Sequence, residues 1–215
     1  MTEYCQDIHK SMLKNESKWA PNPLYMSKQI KIDETIRSTL VDWLIQIHYN
    51  FKLLPECLHL TINIIDRYLS KEQINKKEVQ LLGVAALLIV AKYEEIYPPL
   101  LKDFVFIADK TYTSDQILAM EIKILGALDF DISLTTSYRF LERFNKLAKL
   151  DNVTFFLSQY MIELGLLDSK MSQFANSLQA VSAIYIAKKY LDLNHQSSFD
   201  FAPILKDLNV EYTLD

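Results

Sequence analysis

Residues 76–95 have the sequence KKEVQLLGVAALLIVAKYEE, in which an apolar run from Leu81 to Ala91 is followed by a lysine, a tyrosine and two glutamates. A helix without a polar face is typical of the centre of a bundle, where other helices surround it. The run is well short of the roughly 20 apolar residues that cross a bilayer. This stretch therefore predicts a buried central helix whose last turn carries a charged cluster.

Helix start signals on both sides of this stretch predict further helices. Asp33 precedes the periodic segment IRSTLVDWLIQIHYNF, and Pro55 precedes ECLHLTINIIDRYLS. Thr113 and Gln116 form a capping box before ILAMEIKILGAL. With the short segment PLLKDFVFIA, these signals predict five helices between residues 33 and 128. Three glycines and six prolines leave little material for tight turns, so the predicted fold class is all-α.

The second half of the chain repeats the hydrophobic pattern of the first. An offset that aligns Lys92 with Lys188 places AALLIVAKY against VSAIYIAKK, which predicts a duplicated helical unit of about 100 residues. Helices are predicted at residues 135–149, 153–167, 173–191 and 202–208. Thr213 in the final YTLD would cap a fifth helix, so we expect the second fold to lack its last helix. The predicted domains are residues 1–32, 33–132 and 133–215.

Composition and charge exclude several classes of function. The net charge of −4 gives no general attraction to nucleic acid or to anionic lipid. Cys5 and Cys57 are the two cysteines, which form no disulfide framework and indicate a reducing compartment, the cytosol or the nucleus. The polar N-terminal segment MTEYCQDIHK is not a signal peptide.

Motifs for catalysis or metal binding are missing from the sequence. The four histidines are scattered, and Cys57 and His59 have no second ligand pair that would complete a zinc site. There is no Gly-rich phosphate loop, no GxSxG and no HExxH motif. We therefore predict a protein that is not an enzyme and needs no cofactor or metal.

Charged residues inside otherwise apolar helices require partners. Breaking a buried ion pair costs about 3 to 5 kcal/mol, so such residues are matched within the fold or by another protein. We predict that Arg37 pairs with Asp66 and links two helices. For Lys92 and Glu121 we weigh an internal pair, or side chains that extend to solvent, against a surface for a partner.

The surroundings of Lys92 favour the partner surface. Tyr93, Ile96 and Tyr97 place apolar area beside the lysine. Apolar residues around convergent polar groups are typical of protein interfaces.

Four stretches closely resemble the cyclin box, and their sequences are most similar to those of the mitotic B-type cyclins: IRSTLVDWLIQIH, IIDRYLS, QLLGVAALLIVAKYEEIYPP and DFVFIADKTYTSDQILAMEIKILGALDF. The N-terminal EYCQDIHKSMLKNESKW resembles the helix that precedes the first box. The resemblance implies tandem five-helix folds and a regulatory subunit of a cyclin-dependent serine/threonine kinase. It also implies action in cell-cycle control at G2/M, in the nucleus and cytoplasm.

The resemblance also implies a kinase-binding surface. Lys92 and Glu121 match the pair that holds the main chain at the ends of the kinase's C-helix, and Glu94 and Glu95 match acidic residues near its activation segment. The apolar floor under that helix is expected to consist of Ile89, Tyr93, Leu125, Phe130 and Ile132.

A second expected site is a groove that binds Arg-x-Leu motifs of substrates and inhibitors. Its matching residues, spaced three and four apart on one helix and joined by the start of the next, are Ile36, Leu40, Trp43, Gln46, Val79 and Gln80. Core packing is the alternative for Leu40. Thr39 stands where relatives often have isoleucine, and Gln46 lacks the negative charge that many relatives offer the motif's arginine.

Two alternatives to a kinase activator stay open. One is a transcription-factor-like pair of cyclin folds that binds DNA or polymerase, which dispersed lysines and arginines disfavour. The other is a degenerate cyclin that no longer activates a kinase.

Overall fold

The computed structural model describes residues 3–192 and 201–208, and in this part of the chain all regular structure is helical. Short 3₁₀ turns lie at Glu16–Trp19, Lys76–Glu78 and Ser169–Gln173. The α-helices are α1 Cys5–Asn15, α2 Tyr25–Lys28, α3 Glu34–Phe51, α4 Pro55–Lys71, α5 Val79–Glu94, α6 Leu101–Ile107, α7 Ser114–Ala127, α8 Ser137–Ala148, α9 Asn152–Gly165, α10 Asn176–Asp192 and α11 Ala202–Asp207. The predicted all-α class is confirmed.

The helix starts lie where local side-chain chemistry predicts them. The Asp33 carboxylate accepts a hydrogen bond of 2.9 Å from the Ile36 amide at the start of α3. Pro55 occupies the first turn of α4, where a missing N–H costs nothing. Thr113 and Gln116 form the predicted capping box of α7, with bonds of 3.3 and 2.8 Å.

The chain divides into two compact units that are not contiguous in sequence. One consists of residues Trp19–Leu134 and Leu166–Gln173 and contains α2–α7. The other consists of the described parts of Met1–Lys18, Thr135–Gly165 and Phe174–Asp215. One division falls after Leu134, and the N-terminal helix α1 belongs to the second unit. Residues 166–173 belong to the first unit.

The core of the first unit is built around α5. Every residue of the run from Leu81 to Ala91 is buried, and α5 packs against α3, α4, α6 and α7. Gly83 lies where α3 crosses α5. A Cβ at this position would be only 2.7 Å from Leu40 Cδ1. The predicted central helix is thus observed.

The second unit has its own apolar core. It is centred on Phe140, Phe144 and Ile184, and α8, α9 and α10 supply most of it. The buried His9 of α1 packs with its ring edge-on to Phe140 and Phe144, at centroid distances of 6.0 and 6.3 Å. These contacts explain why the N-terminal helix belongs to this unit.

The predicted second-half helices agree with α8–α11 to within about three residues. Helix α9 ends at Gly165, two residues earlier than predicted. The next two residues, Leu166 and Leu167, pack on the core of the first unit. Thr213 and the end of the second fold, which we expect to lack its last helix, lie outside the described residues. Across the described residues, we find no helix with the length and apolar character that a membrane span requires.

Candidate functional site

Lys92 and Glu121 form an ion pair at the surface of the first unit. Lys92 is in the last turn of α5, and its Nζ contacts Oε1 of Glu121 in the middle of α7. The lysine side chain is 46% exposed and the glutamate side chain 12% exposed. The internal contact that was one alternative for this pair is therefore observed, and the pair is also partly exposed to solvent.

Apolar side chains surround this pair. Phe130 is 71% exposed and Tyr93 is also exposed, whereas Leu125 and Ile132 are half-buried. The sequence analysis missed Ile122, which is 70% exposed on α7. Its signal was the spacing of Leu118, Ile122 and Leu125, which places three apolar residues on one face of that helix. We call the exposed and half-buried apolar residues near the Lys92–Glu121 pair the α5–α7 surface: Tyr93, Leu118, Ile122, Leu125, Phe130 and Ile132.

The turn after α7 directs Phe130 outward. Asp129 and Phe130 have left-handed backbone conformations, with φ of 54° and 58°. Residues other than glycine rarely adopt this conformation. Surrounding contacts hold this conformation, because Trp19 Nε1 donates to Asp131 Oδ1 at 2.8 Å and Arg67 donates to the Asp131 carbonyl at 2.8 Å. An exposed aromatic residue at a conformationally costly position is typical of functional surfaces.

Ile89, which was expected in the apolar floor under a partner helix, is buried. Its side chain is 4% exposed, because α5 is covered on that side by the neighbouring helices. Ile89 therefore supports the α5–α7 surface from beneath and does not form part of it.

Glu95 makes contacts within its own unit. Its carboxylate accepts a hydrogen bond of 2.7 Å from the Leu54 amide and one of 3.3 Å from the Cys57 thiol. Burial, together with this carboxylate, raises the pKa of the Cys57 thiol well above its usual range. Glu95 thus connects the end of α5 to the start of α4, while Glu94, its neighbour, is half-buried. The sequence could not distinguish the two because they are adjacent and identical.

The predicted Arg37–Asp66 ion pair is confirmed. Arg37 Nε and Nη2 donate to the two Asp66 oxygens at 2.8 and 2.7 Å, and both side chains are buried. Tyr25 donates its hydroxyl to the same carboxylate at 2.5 Å, and Arg37 Nη1 also donates to the carbonyl of Leu166 at 2.9 Å. Burial disfavours the charged guanidinium, but the adjacent carboxylate outweighs it and raises the pKa of Arg37.

A groove of about 450 Å³ lies between α3 and the start of α5. We call it the α3–α5 groove; its lining residues are Thr35, Ile36, Thr39, Leu40, Trp43, Lys76, Val79 and Gln80. Five of the six predicted docking residues are therefore brought together here. Leu40 and Val79 are mostly buried and form its base, so core packing and groove lining both apply to them.

Gln46 is the exception among the predicted docking residues. It does not line the groove, and its side-chain amide donates to Asp42 Oδ2 at 3.0 Å, one turn earlier on α3. The i,i+3 spacing from Trp43 suggested a shared face, but it does not bring Gln46 into the lining of the groove.

Histidine and cysteine do not form a metal site in the described part of the chain. No group of three histidine, cysteine, aspartate or glutamate side chains there could hold a metal ion. Cys57 and His59 are both buried in α4. Burial, with the charge of His48 as a second cause, lowers the pKa of His59 to about 3.

Two protein-family models match successive parts of the chain. The family model described as the N-terminal domain of cyclins matches residues 7–133, and the model for the cyclin C-terminal domain matches residues 135–206. The chain belongs to the cyclin family. The predicted resemblance is confirmed.

The curated relatives of this cyclin include B-type members. Cyclin-B2-1 of Oryza sativa subsp. japonica is 43% identical over 187 residues, which are 87% of this chain and 44% of that protein. Cyclin-B1-3 of Arabidopsis thaliana is 45% identical over 189 residues, or 86% of this chain and 45% of that protein. G2/mitotic-specific cyclin-2 of Medicago sativa is 39% identical, with coverage of 87% and 57%. The chain thus spans about half the length of these relatives.

Solved structures have the same fold. The viral cyclin of Herpesvirus saimiri superposes with a TM-score of 0.77 at 20% identity, over 92% of this chain and 88% of that one. A chain of the CAK complex from Chaetomium thermophilum, bound to ATP-gamma-S, has a TM-score of 0.53 at 14% identity, with coverage of 96% and 70%. At these identities the likeness concerns the fold.

Proposed function

We propose that this cyclin binds and activates a cyclin-dependent serine/threonine kinase in cell-cycle control, at G2/M, in the nucleus and the cytoplasm. The observation that carries the proposal is the α5–α7 surface, an exposed apolar area around a held but accessible Lys92–Glu121 pair. The B-type relatives support the cell-cycle role. In this proposal the chain holds a helix of the kinase in its active position and performs no catalysis itself.

The chemistry of the pair suits a partner helix. A helix leaves its last carbonyls and its first amides without internal partners, so a lysine can donate to one end and a glutamate accept from the other. Kinase catalysis requires the C-helix glutamate to reach the lysine that holds the ATP phosphates. A cyclin that binds only that helix position shifts the kinase population toward it.

The apolar side chains supply most of the affinity in this mechanism. A shift of the kinase from about 1:99 to 99:1 requires roughly 5.5 kcal/mol of differential binding. An exposed ion pair contributes about 1 kcal/mol or less, so the pair orients the partner and does not account for the shift. Phe130, Tyr93 and Ile122 are exposed enough to be buried by a partner, within an interface on the order of 2,000 Å².

Replacing both charges tests the proposal. The variant Lys92→Ala/Glu121→Ala should stimulate kinase phosphorylation of a histone-type peptide about a hundredfold less than the unchanged chain, because two central contacts are lost. Its thermal unfolding midpoint should stay within about 3 °C, because the pair lies at the surface.

A matched control separates this effect from general charge loss. Lys28→Ala/Glu72→Ala removes one exposed charge of each sign from the same unit and should leave stimulation unchanged. Full stimulation by the Lys92→Ala/Glu121→Ala variant would refute the role of the pair. Normal kinase binding without stimulation by the unchanged chain would favour the degenerate cyclin.

We also propose that the α3–α5 groove docks substrates or inhibitors with Arg-x-Leu motifs. An apolar groove with Trp43 on its wall, outside the α5–α7 surface, supports this role. Trp43→Ala should lower phosphorylation of docking-dependent substrates several-fold while leaving kinase binding and phosphorylation of short peptides intact. Equal loss of all three activities would show that the variant is misfolded or that the groove has another role.

The DNA-binding alternative has its own test. Retention of the chain on heparin that weakens with salt is required for phosphate binding and is not expected of a kinase activator with a net charge of −4. Elution at low salt would remove this alternative.

A further inference from the structure

The α3–α5 groove has one charged side chain in its lining, and that charge is positive. Among its eight lining residues, Lys76 alone is ionisable at neutral pH. Asp42, which accepts a hydrogen bond from Gln46, does not line the groove, and neither does Gln46. A basic residue of a docked peptide would therefore meet no carboxylate within the groove.

A second cavity continues the basic end of the groove. Its volume is about 430 Å³, and it shares Lys76 with the α3–α5 groove. The other residues that line it are Lys31, Asn75, Lys77 and Glu78. We call this second cavity the lysine cavity. Three lysines against one glutamate give it a positive potential.

Hydrogen bonds hold part of the lysine cavity in place. Lys31 Nζ donates to Asn75 Oδ1 at 2.7 Å, and Asn75 Nδ2 donates to Glu78 Oε2 at 2.7 Å. The Lys31 ammonium has three donors, so this contact leaves others for a ligand. Lys76 and Lys77 are exposed and have no ion-pair partner within the part of the chain that the structure describes.

We infer that the preferred occupant is an extended peptide with an apolar anchor in the α3–α5 groove and an acidic residue beside it in the lysine cavity. The anchor packs between Leu40, Trp43 and Val79, and the peptide carboxylate accepts hydrogen bonds from Lys76 and its neighbours. This inference rests on the proposed docking role of the groove and keeps its apolar anchor, but it revises the motif: an acidic residue replaces the arginine of Arg-x-Leu. The acidic residue next to the anchor, more than an arginine, selects the partner.

The experiment measures peptide binding by fluorescence anisotropy with the full chain and no kinase. Three fluorescein-labelled peptides share one leucine anchor and carry glutamate, glutamine or arginine beside it. At about 50 mM salt the glutamate peptide should bind at least threefold more tightly than the glutamine peptide, and the arginine peptide more weakly still. The preference should shrink at about 0.5 M salt.

Charge reversal in the cavity locates the effect. Lys76→Glu should remove the glutamate preference and favour the arginine peptide, whereas the matched control Lys102→Glu, an exposed lysine of α6, should not change the order. Trp43→Ala should weaken all three peptides alike. The inference is overturned by an arginine preference in the unchanged chain, by a glutamate preference that survives Lys76→Glu, or by no binding of any peptide. Kinase stimulation, measured separately, is independent of these outcomes.

Discussion

Arg37 shows how one charged residue is accommodated in an apolar core. Four of its hydrogen bonds end on Asp66 and on the carbonyls of Leu166 and Leu167, at 2.7 to 3.3 Å. A guanidinium has five N–H donors, so the site satisfies nearly all of them. The sequence predicted the pair with Asp66, but it could not predict the two carbonyls, because they lie about 130 residues away along the chain.

Removing the guanidinium should be strongly destabilising. Arg37→Met leaves the Asp66 carboxylate buried without its cation, and we expect the free energy of unfolding to fall by about 3 to 5 kcal/mol in urea titrations. The double variant Arg37→Met/Asp66→Leu should recover much of this loss, because it removes the unpaired charge. Unchanged stability of the single variant would contradict the structural role.

His59 should make the first unit sensitive to mild acid. Its pKa is about 3 in the folded chain, mainly because of burial, against an ordinary value of 6.5. Between these values the unfolded chain binds a proton that the folded chain does not, so stability falls as pH decreases below about 6.5. From pH 7 to 5 this group should cost about 2 kcal/mol.

The measurement compares two urea titrations for each of two proteins. The unchanged chain should lose about 2 kcal/mol more between pH 7 and 5 than His59→Leu does. Other groups that titrate in this range contribute equally to both proteins and cancel in the difference. Equal losses in the two proteins would show that His59 is protonated in the folded state.

At the scale of helices, two glycines allow the effect of core packing on stability to be separated from the effect of helix propensity. Gly83 and Gly126 both lie within α-helices, but a Cβ at Gly83 would meet Leu40 Cδ1 at 2.7 Å, whereas a Cβ at Gly126 has nothing within 4 Å. Alanine favours a helix over glycine by about 1 kcal/mol. The steric cost of an extra methyl group in a packed core is about 1 to 3 kcal/mol.

The same substitution should therefore have opposite signs at the two positions. Gly126→Ala should raise the free energy of unfolding by about 0.5 to 1 kcal/mol, and Gly83→Ala should lower it by about 1 kcal/mol, as measured by urea titration. Gly83→Ala should also weaken peptide binding in the α3–α5 groove, because Leu40 must move. A stabilised Gly83→Ala variant would show that Leu40 yields without cost.

Local side-chain chemistry determines where the helices start, whereas packing between helices determines which of their side chains are buried. Asp33, Pro55 and the Thr113 capping box predicted three helix starts, because a cap acts within four residues of its own position. The burial of Ile89 and the hydrogen bonds of Glu95 could not be predicted, because only the neighbouring helices determine which side of α5 is covered. Ile122 was missed for the same reason: an exposed isoleucine and a buried one have the same sequence signal.

At the scale of the whole molecule, the internal repeat has equivalent lysines with different partners. Lys92 pairs with Glu121, but its counterpart Lys188 pairs with Asp151 at 2.9 Å. Asp151 also accepts from the Thr154 amide and hydroxyl at the start of α9, and these bonds, with Lys188, lower its pKa. The lysine of the second unit is thus paired within its own fold, with an aspartate just before α9.

The route of the chain past α9 affects how the protein can be dissected. A fragment that stops at residue 134 retains the whole N-terminal family match, yet it omits Leu166 and Leu167, whose carbonyls accept from Arg37. Such a fragment would have to offer water or a rearranged backbone to a buried cation. Because each unit borrows a sequence segment from beyond the nominal boundary, the smallest independently stable piece is larger than one cyclin box.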